Sequence, residues 1–153
     1  MGYNSEQLTT WRHHLHSIAE TAFNEHNTSA YISDELRKLG LTVVQNIGGT
    51  GIVGTLKRGS SNRAIGLRAD MDGLPLHEKS GAAYAPAISG SMHACGHDGH
   101  MTMVLGAAAK LIGDESIDGT IHFLFQPAEE PGRGAQSMID DDLFKKCPMD
   151  EIY

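Results

Sequence analysis

Three of the nine histidines fall inside the short run Met92-His93-Ala94-Cys95-Gly96-His97-Asp98-Gly99-His100, where even spreading would leave fewer than one. A single glycine separates Cys95 from His97, so one turn can aim a thiolate sulfur and an imidazole nitrogen at a common point. Both suit Zn²⁺ and its neighbours. A buried free cysteine beside surface histidines is spelled the same way. A second group is Gln126-Pro127-Ala128-Glu129-Glu130. Adjacent carboxylates on a solvated helix are ordinary surface, but beside a metal one can ligate while the other stays free as general base, and hydrolysis needs both roles. The third is Leu67-Arg68-Ala69-Asp70-Met71-Asp72-Gly73-Leu74-Pro75, where strand alternation puts Asp70 and Asp72 on one side. Holding a ligand imidazole, direct ligation and capping a turn all fit that pattern.

These groups need elements to carry them. Leu8, Trp11, Leu15, Ile18, Ala19, Ala22 and Phe23 recur at helical spacing and predict an amphipathic helix over residues 5–24. A second helix is expected after Thr28 as N-cap, burying Ile32, Leu36 and Leu39 and stopping at Gly40, with Leu41 placed for a Schellman contact. Short β-branched runs follow at 42–44, 52–56 and 64–67, and Arg58-Gly59-Ser60-Ser61-Asn62 reads as a hairpin turn between the last two. An irregular stretch from Asp70 to Gly96 exceeds the usual loop length, as functional loops do. A clean helical stripe from Met101 to Ile112, a buried strand over 119–125 stopped by Pro127, and a short helix with Ala135, Met138 and Ile139 complete the pattern. Alternation of strand and helix predicts an α/β sheet with crossovers. In open sheets of that class ligands bind beyond the carboxyl ends of the strands, where Glu129 and Glu130 would sit.

The remaining arithmetic excludes other classes. A length of 153 residues is one domain's worth, and 40% hydrophobic residues suffice for a core without a disulfide framework. Twelve basic against 19 acidic side chains, with no basic block, argue against nucleic acid. No apolar run nears the length of a membrane span and no signal-peptide pattern opens the chain, so a cytoplasmic setting is expected. A thiol redox role for Cys95 lacks a C-x-x-C partner.

Together with Trp11-Arg12-His13-His14-Leu15-His16, the three chemical segments closely resemble, in order and spacing, the bacterial and plant N-acyl-amino-acid amidohydrolases. That group includes hippurate hydrolase and the auxin-conjugate hydrolases, among the aminoacylase and carboxypeptidase G-like dinuclear metallopeptidases. The resemblance covers essentially the whole sequence. It implies a three-layer α/β/α zinc-peptidase-like catalytic domain. It further implies Cys95, His97 and Glu130 as metal ligands, Glu129 as general base, and Asp72 as a catalytic-site acid close to the metals that supports them. His93, His100 and Asp70 belong to the motif without an assigned ligand role. The implied cofactors are two divalent ions (Zn, Mn, Ni or Co) and the implied reaction is hydrolysis of small-molecule N-acyl amino acids to a carboxylic acid and a free amino acid, by a homo-oligomer. Two departures stand out: Ile18-Ala19-Glu20, expected on the first helix where relatives have His-Pro-Glu, and Glu130-Pro131-Gly132-Arg133 in place of a more Gly-rich turn.

Three ligands are too few for two metals. The resemblance places further histidine ligands and a lid domain beyond the segment ending at Tyr153, so residues 1–153 are expected to form the amino-terminal portion of the catalytic domain, incomplete and inactive alone. The alternative is a stand-alone metal-binding or interaction module.

Overall fold

The central strand of the sheet comes late in the chain. The computed structural model describes residues 4–86 and 90–153, with five strands in the order β1-β2-β4-β3-β5. These are β1 (Thr42–Ile47), β2 (Gly51–Arg58), β3 (Ala64–Asp70), β4 (Gly119–Gln126) and β5 (Glu151–Ile152). β4 runs antiparallel to β2, with Ile52 opposite Phe125, and parallel to β3, with Asp70 opposite Gln126. The expected hairpin at 58–62 is therefore wrong. β4 lies between β2 and β3, and the tight hairpin is instead β1–β2. Local turn composition cannot register a strand that inserts from 60 residues downstream.

Alternation along β4 builds two cores. Ile121, Phe123 and Phe125 point to one face and pack with Trp11, Leu15, Ile32, Leu36, Met101 and Leu105. Leu124 points the other way, joining Ile47, Val53, Met138, Leu143 and Cys147. The first layer comprises α1 (Ser5–Ser17), α2 (His26–Lys38) and α3 (His97–Leu111); the opposite one comprises α4 (Gly134–Asp140) and α5 (Leu143–Lys146). A three-layer α/β/α arrangement results, as expected. Phe123 and Phe125 are completely buried, each contributing about 1.5–3 kcal/mol of apolar transfer energy.

The helix boundaries divide. α2 ends as predicted: Gly40, at φ 82°, and Leu41 donate their amides to Arg37 and Leu36 carbonyls, the Schellman pattern that a left-handed glycine permits. Its start is earlier than expected. Glu25 is the N-cap residue, and Thr28 lies in the first turn, where its amide and hydroxyl donate to the Glu20 carboxylate. α1 stops at Ser17 rather than 24, because the chain turns through Phe23 at φ 61° and hands the Glu20 carbonyl to the Gly73 amide. Ile18-Ala19-Glu20 is thus off the helix, a correction to its expected position. The stretch after Asp70 is irregular apart from isolated bridges of Gly73 to Thr21 and of Leu74 to Met92; residues 87–89 of that predicted loop lie outside the described set.

Candidate metal centre

His97 opens α3, with Gly96 as N-cap, so its ring projects toward the carboxyl ends of β3 and β4. Its Nδ1–H donates to the backbone carbonyl of Asp72 at 2.7 Å. That contact leaves Nε2 facing Glu129 Oε2 at 3.8 Å and Glu130 Oε1 at 3.9 Å. One donor atom from each of His97, Glu129 and Glu130 lies within 4.8 Å of the other two. Cys95 is exposed and neighbours the Glu130 carboxylate. Of the four residues picked out as ligands or base, His97, Glu129 and Glu130 are brought together, whereas the Cys95 sulfur belongs to neither grouping of donor atoms tight enough for an ion among the described residues.

The geometry of the two glutamates is set by their backbone. Both Glu129 and Glu130 amides donate to the Asp72 carboxylate, at 2.9 and 3.1 Å. Ala128, immediately before them, is fully buried at φ 47°, a left-handed conformation that costs an L-residue about 1–2 kcal/mol. Behind it, a Cβ on Gly134 would overlap the Pro127 carbonyl oxygen, so the return of the chain into α4 requires glycine at that position.

Electrostatics follow from the packing. Burial alone would lower the His97 imidazole, but the hydrogen bond it donates to Asp72 and the charge of Asp70 outweigh it and push it up to about 8. Burial would raise Asp70 and Asp72; hydrogen bonds to His100 and His97, respectively, with further nearby donors and cations, leave both below the usual carboxylate range. Glu130, by hydrogen bond and charge, pushes the Cys95 thiol up. His93 is buried with neither ring nitrogen partnered, and that burial lowers it to about 4.

A divalent cation fits this donor set. Glu130 Oε1 is buried without a hydrogen-bond partner, which is costly unless something positive meets it. A second grouping, Asp70, His97 and His100, is also tight enough for an ion. There, however, Asp70 already receives His100 Nδ1 at 2.7 Å and Arg68 Nη1 at 2.8 Å, so its oxygens are engaged.

Several contributors escaped sequence reasoning. Asp98 follows His97 and receives His16 Nδ1 at 2.9 Å and Arg12 Nε at 3.2 Å, while His16 Nε2 lies 2.9 Å from Glu78. This tie fixes the start of α3 to α1. Glu25 accepts the Ala128 amide at 2.9 Å and the Thr50 hydroxyl at 2.5 Å. No local pattern marks Glu25 or Glu78, because their partners lie far along the chain.

Similarity to known proteins agrees with this geometry. Hippurate hydrolase from Campylobacter jejuni is 44% identical over 142 residues, covering 93% of this chain and 37% of that protein. N-acetyldiaminopimelate deacetylase from Oceanobacillus iheyensis is 42% identical, covering 96% and 40%. The Bacillus subtilis YXEP protein, described as a dinuclear metal-binding peptidase of the M20 family, superposes with a TM-score of 0.89 at 31% identity, over 96% of this chain and 41% of its own. The chain therefore spans about two fifths of the length of these relatives. The model of peptidase family M20/M25/M40 matches residues 66–153, more than half of the chain and the part that holds Asp72, Cys95, His97, Glu129 and Glu130. That match, over more than half of the chain, together with a sheet of this topology and a candidate ligand cluster at its carboxyl edge, makes the chain a member of peptidase family M20/M25/M40.

Proposed function

We propose that this chain carries the metal centre of an amidohydrolase that cleaves N-acyl amino acids of the hippurate type. The products are a carboxylic acid and a free amino acid. The observation that carries the reading is the meeting of His97 Nε2, Glu129 and the unpartnered Glu130 Oε1 past the carboxyl ends of β3 and β4, with Cys95 as their neighbour. In this reading Cys95, His97 and Glu130 hold metal, as part of a pair of divalent ions (zinc, manganese, nickel or cobalt). Such ions supply Lewis acidity to the scissile carbonyl and to an attacking water.

The chain's own groups do the rest. Asp72 fixes the His97 tautomer and the backbone of both glutamates. The Glu129 side chain is 43% exposed, against 22% for Glu130, so Glu129 is the carboxylate that water and substrate can reach. It takes the proton from water and delivers it to the leaving amine nitrogen. A thiolate ligand has to stay reduced, which favours a cytoplasmic setting. No helix among the described residues is long and apolar enough to cross a membrane, and the net charge of −7 disfavours a nucleic-acid partner.

The test is hydrolysis of N-benzoylglycine with Mn²⁺ or Zn²⁺, by this chain and by one continued beyond Tyr153, together with metal stoichiometry. Metal uptake by both and hydrolysis by the longer chain are expected. Metal uptake without hydrolysis by either would favour a binding module, and hydrolysis by the short chain would overturn the expected incompleteness.

A further inference from the structure

Glu25 is fully buried, yet it lies at the start of a surface-facing helix and 103 residues from the amide that it holds. Its Oε1 accepts the Ala128 amide and its Oε2 accepts the Thr50 hydroxyl from the β1–β2 turn. The next two amides, of Glu129 and Glu130, go to Asp72. Three consecutive backbone N–H groups are therefore held by two buried carboxylates from different parts of the chain. On the other side, the Ala128 carbonyl accepts the Arg133 and Gly134 amides.

We propose that Glu25 is a positioning residue for the metal centre: by holding the amide of Ala128 it keeps that residue left-handed, and so aims Glu129 and Glu130 at His97. Ala128 lacks the freedom of glycine, and a return to negative φ would rotate the following peptides away from Asp72 and from His97 Nε2. Pro127, having no N–H, offers no alternative anchor. The fixed start of α2 supplies rigidity: the Ser29 amide donates to the Glu25 carbonyl, so the backbone carrying this carboxylate is itself within a helical turn. Removal of Glu25 would leave a buried amide and a buried hydroxyl unpaired. The inference rests on the proposed metal-binding role of Glu130, but the geometry of the turn can be read without metal.

The experiment measures amide hydrogen exchange by NMR on the metal-free chain, and Zn²⁺ affinity by competition with a chromophoric chelator. In Glu25→Ala, exchange at Ala128, Glu129 and Glu130 should accelerate roughly tenfold or more while β4 amides such as those of Ile121 and Phe123 keep their protection. Zn²⁺ affinity should fall about 10–100-fold. Glu25→Gln keeps an acceptor for Ala128 and should restore both readouts. If Glu25→Ala does not fold, Thr50→Val, which removes the other partner of Glu25, should move the same three amides in the same direction. Unchanged exchange at these amides, or acceleration spread evenly through β4, overturns the proposal, as does local acceleration with wild-type Zn²⁺ affinity. Absence of Zn²⁺ binding by the wild-type chain would instead count against the metal-centre reading, leaving exchange to decide whether Glu25 holds the turn.

Discussion

The imidazole of His97 donates through Nδ1 to the main-chain carbonyl of Asp72 at 2.7 Å. The same aspartate holds the amides of Glu129 and Glu130 through its two carboxylate oxygens. One residue thus sets the relative position of three candidate metal-site side chains from two different elements. Asp72→Ala leaves the carbonyl contact intact but strands two amides. The expected cost is about 2–4 kcal/mol of stability and about a 10–100-fold loss of Zn²⁺ affinity. Urea unfolding and metal titration check both, and an unaltered affinity would exclude the supporting role.

The ligand and base assignments separate by experiment. Cys95→Ser, His97→Ala and Glu130→Gln should each reduce bound Zn²⁺, measured by atomic emission after dialysis. Glu129→Gln should retain the metal, and in a chain continued past Tyr153 it should lower kcat for N-benzoylglycine by about 10²–10⁴-fold. Metal content unchanged in Cys95→Ser would remove that residue from the ligand set.

Two histidines give the metal-free chain a stability optimum. The folded-state value of His97 rises from 6.5 to about 8, so its contribution is complete below 6.5 and disappears as pH rises through about 8. The value for His93 falls from 6.5 to about 4 because of burial, so its contribution is complete above 6.5 and disappears as pH falls toward 4. Thermal unfolding in EDTA should therefore show the highest Tm near pH 6.5, with the lowered values of Asp70 and Asp72 steepening the acid side. Zn²⁺ affinity should instead decline as pH drops below about 8, because the His97 proton competes with metal. A Tm that climbs steadily from pH 4 to 9 without metal contradicts the first expectation.

The edge of the sheet should be sticky. β5, two residues long, is the edge strand beside β3, joined to it between Ala64 and Arg68, and Met103, Ile152 and Tyr153 lie 63%, 46% and 69% exposed near that edge. Uncovered edges and apolar side chains promote association. Sedimentation at micromolar concentrations should show dimers or larger species, reduced in Ile152→Lys; a clean monomer throughout would refute this.

Legibility in the sequence tracked the range of the interaction. The α3 stripe, the buried β4 strand and the Gly40 stop rest on neighbours a few residues apart and were readable. Residue type and spacing also singled out Cys95, His97, Glu129 and Glu130 as candidates, with their separate roles coming only from the family resemblance. The end of α1 was not readable, because apolar spacing continues through Phe23 although that residue is left-handed. The β2–β3 hairpin failed because β4 occupies the space between those strands. Glu25, Glu78 and the His16–Asp98 pair act across gaps of 62–103 residues, and no periodicity encodes such partners.

The insertion of β4 also dictates an order of events during synthesis. β2 and β3 leave the ribosome first, each presenting the hydrogen-bonding edge that β4 will later fill. Until residues 119–126 emerge, those two edges have only each other or a stranger to join, and such a premature pairing would have to be undone before the sheet could close. The glutamates that follow β4 therefore reach their place beside His97 only at that closure.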